Sequence, residues 1–133
     1  MTLLLDTHVW FWALESPDKI GRKCRASLES TENVLVVATI STVELGQLVS
    51  TEKIRFKSTL ESWVRRGTES LGMRATELSH AIALLAYSLP GVFHKDPADR
   101  ILVATAIHHG YTIVSANERI LAYPHVMSMN ARR

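Results

Sequence analysis

The sequence predicts an α/β fold: a central parallel sheet of about five strands with helices on both faces, in three layers. Three observations carry that expectation. The runs Leu3-Leu4-Leu5 and Val34-Leu35-Val36-Val37-Ala38 are continuously apolar, as strands buried on both faces are. Stretches of helical periodicity separate these runs, and alternation of strand and helix is the pattern of a parallel sheet joined by right-handed crossovers. Hydrophobic residues make up 47% of the 133 and charged ones 21%, with six Gly and four Pro. That is a globular composition at the size of one ordinary domain, so residues 1–133 are expected to form a single unit without a linker.

Taken in order, the first run is closed by Asp6, and His8 to Glu15 follows as a helix. Asp18 to Glu29 reads as a second helix, entered through Ser16-Pro17. The 34–38 run is the second strand. Ser41 to about Ser50 is the next helix, and Thr59 to Arg66 another, with Leu60, Trp63 and Val64 on one face and Gly67 just past its end. A short strand is expected near Met73–Thr76. Ser79 to Leu89 is helical and stops at Pro90-Gly91, and a long helix from Pro97 to His109 ends at Gly110. Thr112 to Ser115 is a buried strand, Glu118–Ala122 a short helix and Val126–Met129 a last strand. No internal repeat is present.

Charge and cysteine content narrow the setting. Fifteen Lys and Arg against thirteen Asp and Glu give a net charge of +2, which permits a nucleic-acid partner without demanding one. The lone Cys24 can form no internal disulfide and supplies no zinc ribbon, so a reducing cytoplasm is the expected location. The first fifteen residues lack the basic leader of a signal peptide, and no stretch approaches the ~18 apolar residues of a membrane span.

The acids are the informative residues. In an open α/β sheet the ligand sits outside the carboxyl ends of the strands, where the following helices also begin. Asp6 ends the first strand, Glu44 lies at the start of the helix after the second, and Asp96 and Asp99 flank the start of the long helix. Asn117 and Glu118 follow the 112–115 strand. All map to one edge. Converging carboxylates repel, and raised pKa values or a bound cation relieve that repulsion; oxygen-rich sites suit Mg²⁺ or Mn²⁺. Each acid also has a local explanation. Ser41-Thr42-Val43-Glu44 fits a capping box, and Asp96-Pro97-Ala98-Asp99 fits an N-cap with proline at the first helical position. Asp6 is harder to explain locally, because an acid closing a buried strand costs desolvation unless something compensates it.

Other chemistries find no support. There is no glycine-rich phosphate loop, no G-x-S-x-G and no H-E-x-x-H. His108 and His109 suit a helix C-terminus, His94 precedes Asp96 and could shape the site, and Cys24 falls on a core-facing position with Ile20. Trp10, Phe11 and Trp12 spread around their helix, marking it as deeply buried or as an interface.

Four segments together resemble the PIN-domain family, and within it the VapC-type ribonuclease toxins of toxin–antitoxin pairs. They are Leu4-Leu5-Asp6-Thr7-His8 with Trp10-Phe11-Trp12, Ser41-Thr42-Val43-Glu44-Leu45, His94 through Ala104, and Thr112 through Glu118. The resemblance implies a PIN-like α/β fold and a Mg²⁺- or Mn²⁺-dependent endoribonuclease that inhibits translation. The family's first three acids fall on Asp6, Glu44 and Asp99, the implied metal ligands, and Asp96 takes a supporting role. Thr7 and Ser115 fall on hydroxyl positions that orient acids or water. The fourth acidic position falls on Asn117, a departure that implies a weak second metal site unless Glu118 swings in.

The implied mechanism has Asp6 and Asp99 holding the metal while Glu44 positions or deprotonates a water. Lys95, Arg100, Arg119 and the Arg65-Arg66 pair are candidates for RNA contact. A cognate antitoxin is the implied protein partner. A homodimer is expected as well, from the all-round apolar 8–15 helix and an exposed Trp63. A housekeeping RNA-processing nuclease and a catalytically weak module binding RNA or protein remain as alternatives.

Overall fold

The computed structural model describes residues 1–133. Its first strand, β1 (Thr2–Leu5), is flanked by β2 (Val34–Ala38) and β4 (Thr112–Ser115), with β3 (Arg74–Thr76) outside β2 and β5 (Ser128–Asn130) outside β4. All four pairings are parallel, giving the order β3-β2-β1-β4-β5. Leu4 is level with Val36 on one side and Ile113 on the other, so apolar side chains align across the three inner strands. Leu3, Leu4 and Leu5 are wholly buried, each stabilising the fold by roughly 1.5–3 kcal/mol over an exposed position.

Alternate residues of β1 face opposite cores, as strand geometry requires. Leu4, Val36 and Ile113 pack with Ile82 and Ala86 of α5 (His80–Ala86) and with Leu102, Val103 and Ala106 of α6 (Pro97–His109). Ile120 of α7 (Glu118–Leu121) joins the same cluster. Leu3, Leu5, Val37 and Val114 meet the other helices: α1 (Thr7–Glu15), α2 (Arg22–Glu29), α3 (Thr39–Ser50) and α4 (Leu60–Glu69). Helices on both faces of a parallel sheet are what the sequence predicts. No helix is long and apolar enough to cross a membrane.

Several expected boundaries move, each for a physical reason. The 18–29 helix is broken: Pro17–Lys19 is a 3₁₀ turn, Ile20 is extended, and α2 starts only at Arg22. The interruption comes from the C-terminus, because Gly21 N–H donates to Ala131 O at 2.8 Å and Lys23 N–H to Arg133 O at 2.7 Å. Helix α3 begins at Thr39, two residues early, so Ser41 is inside it and fully buried. The capping-box reading of Ser41 and Glu44 therefore fails. Gly67 is not a C-cap but lies within α4, where a Cβ would meet Leu14 Cδ1 at 2.8 Å and Trp10 Nε1 at 3.1 Å. Trp63 is buried rather than exposed: it stacks with Phe56, meets Trp10 edge-on and donates to Glu15 Oε1 at 2.6 Å. It thus offers no surface to a second copy. Helix α5 ends at Ala86, short of Leu89, and β5 starts two residues and ends one residue later than expected. Helix α6 and β4 occupy their expected residues, with Gly110 left-handed after α6 at φ 72°.

Candidate active site

The end of β1 carries the chain from a fully buried strand straight into α1, and Asp6 sits at that junction. One carboxylate oxygen caps α1 by accepting from Val9 N–H at 3.0 Å; the other accepts from the Ser115 hydroxyl at the end of β4. Burial nevertheless dominates and holds the Asp6 carboxyl above its ordinary range.

Thr7 connects Asp6's strand end to α3. Its hydroxyl donates to Glu44 Oε1 and lies 2.9 Å from Ser41 Oγ. A threonine hydroxyl has one proton, so Ser41 donates to Thr7 and Thr7 to Glu44, a short relay that fixes the glutamate. Glu44 also titrates high, from burial first and then from the nearby Asp96 charge, with the Thr7 bond opposing both.

Asp96 caps α6, its Oδ2 accepting from Asp99 N–H at 3.3 Å, and Pro97 takes the first helical position as the sequence predicts. Asp99 is pushed up to about 7 by burial and then by the charges of Asp96 and Glu44. Asn117, the N-cap of α7, donates through Nδ2 to Asp99 Oδ2 at 3.0 Å. His94 reaches the same oxygen with Nε2 at 3.0 Å, and burial and then Arg119 lower its pKa.

Asp6, Thr7, Glu44, Asp96, Asp99 and Asn117 line one cavity of about 380 Å³. The sequence-predicted acids are therefore together. No three acids converge tightly enough to cage an ion as they stand, since each is turned toward its own hydrogen-bond donor. The donor set nevertheless fits Mg²⁺ or Mn²⁺: four carboxylates share one opening, three of them titrate high, and hard oxygen ligands are what such ions select.

The basic candidates separate. Arg100 turns inward, donating to Ala86 O at 2.7 Å and to the Phe93 and His94 carbonyls at 3.1 Å. Arg119 donates to His94 Nδ1 at 3.2 Å. Lys95 is exposed beside Asp96, while Arg65 pairs with Glu61 on α4 and, like Arg66, is not part of the cavity wall. Glu118 does not line the cavity either. The sequence reading missed His8, Trp12 and Arg132, which do. His8 and Trp12 are four apart on α1 with ring centroids 6.3 Å apart, a spacing that could have flagged them. Arg132 had no local signal, because its place depends on β5 docking beside β4.

Comparison with known proteins follows this geometry. The PIN domain family matches residues 3–126. Ribonuclease VapC22 of Mycobacterium tuberculosis is 34% identical over 124 residues, covering 93% of each chain. Among solved structures, the VapBC2 complex of Rickettsia felis bound to a promoter DNA fragment has a chain that superposes with a TM-score of 0.73 at 20% identity, covering 98% of both chains. The FitAcB structure from Neisseria gonorrhoeae gives 0.65 at 17% identity, covering 97% of both.

Proposed function

The chain belongs to the PIN-domain family, and from that premise we propose that it is a metal-dependent endoribonuclease, the toxin of a toxin–antitoxin pair that stops translation by cutting RNA in the cytoplasm. The observation that carries this reading is the convergence of Asp6, Glu44, Asp96 and Asp99 on one cavity at the carboxyl edge of the sheet. Asp6, Glu44 and Asp99 would hold Mg²⁺ or Mn²⁺, with Asp96 in support. Such an ion supplies positive charge for the reacting phosphate and makes a water acidic enough to attack at neutral pH.

The chain's own groups do the rest. Asp6 is held by Ser115 and the α1 backbone, so its position is set before any ligand arrives. Glu44, fixed by the Ser41–Thr7 relay, takes the proton of the attacking water as its oxygen bonds to phosphorus, and the ribose oxygen leaves with a proton taken from solvent. An acidic cavity repels an RNA backbone, so exposed Lys95 and the guanidinium of Arg132 are the groups that draw it in. An antitoxin, as in the VapBC complexes the chain resembles in fold, would restrain this activity. A homodimer is the second assembly proposed, with exposed Leu84 of α5 and Tyr87 just past its end as available apolar surface.

The test is cleavage of single-stranded RNA by purified protein with Mg²⁺ or Mn²⁺, against EDTA and against Asp99→Asn prepared identically. Cleavage that survives both removes the reading. Co-expression with the adjacent gene product tests the antitoxin, and light scattering tests the dimer.

A further inference from the structure

Asn117 stands where the family resemblance places an acid, and the hydrogen bonds around it show what an amide does there that a carboxylate could not. Its Oδ1 accepts from Arg119 N–H at 2.9 Å, which fixes the amide's orientation because only the oxygen can accept. Nδ2 consequently faces outward and donates to Asp99 Oδ2 at 3.0 Å. The Asn117 backbone N–H donates to Ser115 Oγ at 2.9 Å, so the residue is held at three points. An aspartate here would keep the cap but would oppose Asp99 with a like charge.

The same Asp99 oxygen has a second neighbour. A guanidinium only donates, so the 3.2 Å approach of Arg119 Nη1 makes His94 Nδ1 an acceptor and puts the ring proton on Nε2. That Nε2 is shielded from solvent, has no aligned partner, and lies 3.0 Å from Asp99 Oδ2. Phe93, with its centroid 4.5 Å from the imidazole, restricts the ring, and Arg100 ties down the His94 carbonyl.

We propose that His94 and Asn117 are positioning residues for Asp99 Oδ2: Asn117 Nδ2 already donates to it, and the unpartnered His94 Nε2–H, 3.0 Å away with its tautomer fixed by Arg119, needs only a small ring rotation to do the same, which leaves Oδ1 for a divalent cation. The inference rests on the metal-dependent reading above. It gives Arg119 a role inside the protein rather than on RNA, and it makes position 117 a donor to the first ion's ligand rather than a ligand of a second ion. Partners that orient a metal ligand in this way typically change metal affinity about 10–100-fold when removed.

The experiment is Mn²⁺ binding to the full chain, followed by electron paramagnetic resonance, together with ¹⁵N NMR of the His94 ring in metal-free protein. Expected are a protonated Nε2 and an acceptor Nδ1 in wild type, with the Nδ1 shift lost in Arg119→Gln. His94→Ala and Asn117→Ala should each bind Mn²⁺ about tenfold more weakly or worse. His94→Gln, which restores an N–H near the same place, should recover most of that loss, and Asn117→Asp should weaken binding. Circular dichroism separates these effects from unfolding, and the rescue by Gln would be unmoved by a merely structural role. Wild-type affinity in His94→Ala and Asn117→Ala, or tighter and additional Mn²⁺ binding in Asn117→Asp, overturns this positioning role while leaving the ribonuclease reading intact. A wild-type chain that binds no Mn²⁺ overturns both.

Discussion

The Ser115 hydroxyl donates to Asp6 Oδ2 across 109 residues of sequence and one step of the sheet. The same Ser115 Oγ accepts from Asn117 N–H, so one small side chain fixes both the first acid and the start of α7. Being fully buried, it cannot be replaced by water without rearrangement.

Ser115→Ala is therefore expected to lower both stability and activity. It leaves a buried carboxylate short of a donor, which costs about 1–3 kcal/mol, and it loosens Asp6, for which a rate loss of about tenfold is reasonable. Asp6→Asn should behave differently. Asparagine still caps α1, so the melting temperature should hold, while cleavage falls by on the order of a hundredfold or more as a ligand charge disappears. Thermal melts with single-turnover cleavage check both, and equal activity in Asp6→Asn and wild type would contradict the site.

Acid titration gives the second prediction. Asp6, Glu44 and Asp99 are all held above their ordinary values, burial being the first cause in each, and Asp99 reaches about 7. The native chain thus keeps protons that the unfolded chain releases near 3.8 for Asp and 4.5 for Glu. Stability from these groups is full below that range and is lost as pH rises, through about pH 7 for Asp99. Metal-free protein in EDTA should therefore melt lower at pH 8 than at pH 5, Mg²⁺ should recover the difference, and Asp99→Asn should flatten the slope. A melting temperature that rises from pH 5 to pH 8 in EDTA, with the same slope in Asp99→Asn, would count against this.

Elements were legible where local signals and tertiary structure agree. Helix α6 has its proline, its Asp96 cap and its left-handed Gly110, and both ends fall where the sequence puts them. The four acids were legible because topology, not spacing, gathers them at a strand edge. What the sequence concealed came from distant partners. Gly67 resembles a helix stop until Trp10 and Leu14 are seen against it, and Trp63 looks exposed until Phe56 and Glu15 cover it. Arg100 sits beside the cavity acids Asp96 and Asp99 in sequence yet points to carbonyls of the 86–94 segment, which periodicity cannot reveal.

Gly21 supplies a third prediction. A Cβ there would lie 2.4 Å from the Arg132 and Arg133 backbone, so alanine must displace the C-terminal residues that break the 18–29 helix. Gly21→Ala should destabilise by about 1–3 kcal/mol, despite alanine's better helix propensity. It should also free Ala131–Arg133 to limited proteolysis and, because Arg132 lines the acidic cavity, raise KM for RNA. Truncation before Arg132 should raise KM in the same direction; an unchanged KM in both variants would show that Arg132 does not meet substrate.

Lys95 and Arg100 differ by five positions and by function, which one pair of substitutions can expose. Lys95 is exposed, next in sequence to the cavity-lining Asp96, and makes no ion pair, so Lys95→Gln should leave stability unchanged, weaken RNA binding, and reduce the dependence of log affinity on log salt by about one. Arg100 instead satisfies the Ala86, Phe93 and His94 carbonyls and lies over Tyr87 at 5.1 Å. Arg100→Gln removes charge-assisted bonds worth about 1.5–3 kcal/mol each at most, with partial replacement by water, so a clear drop in melting temperature is expected. Its salt dependence of RNA binding should match wild type, because a guanidinium already occupied by carbonyls releases no counterions from a phosphate. The reverse pattern, a stable Arg100→Gln with a shallower salt slope, would mean that Arg100 leaves its carbonyls to bind RNA and that the 86–94 segment holds its shape without it.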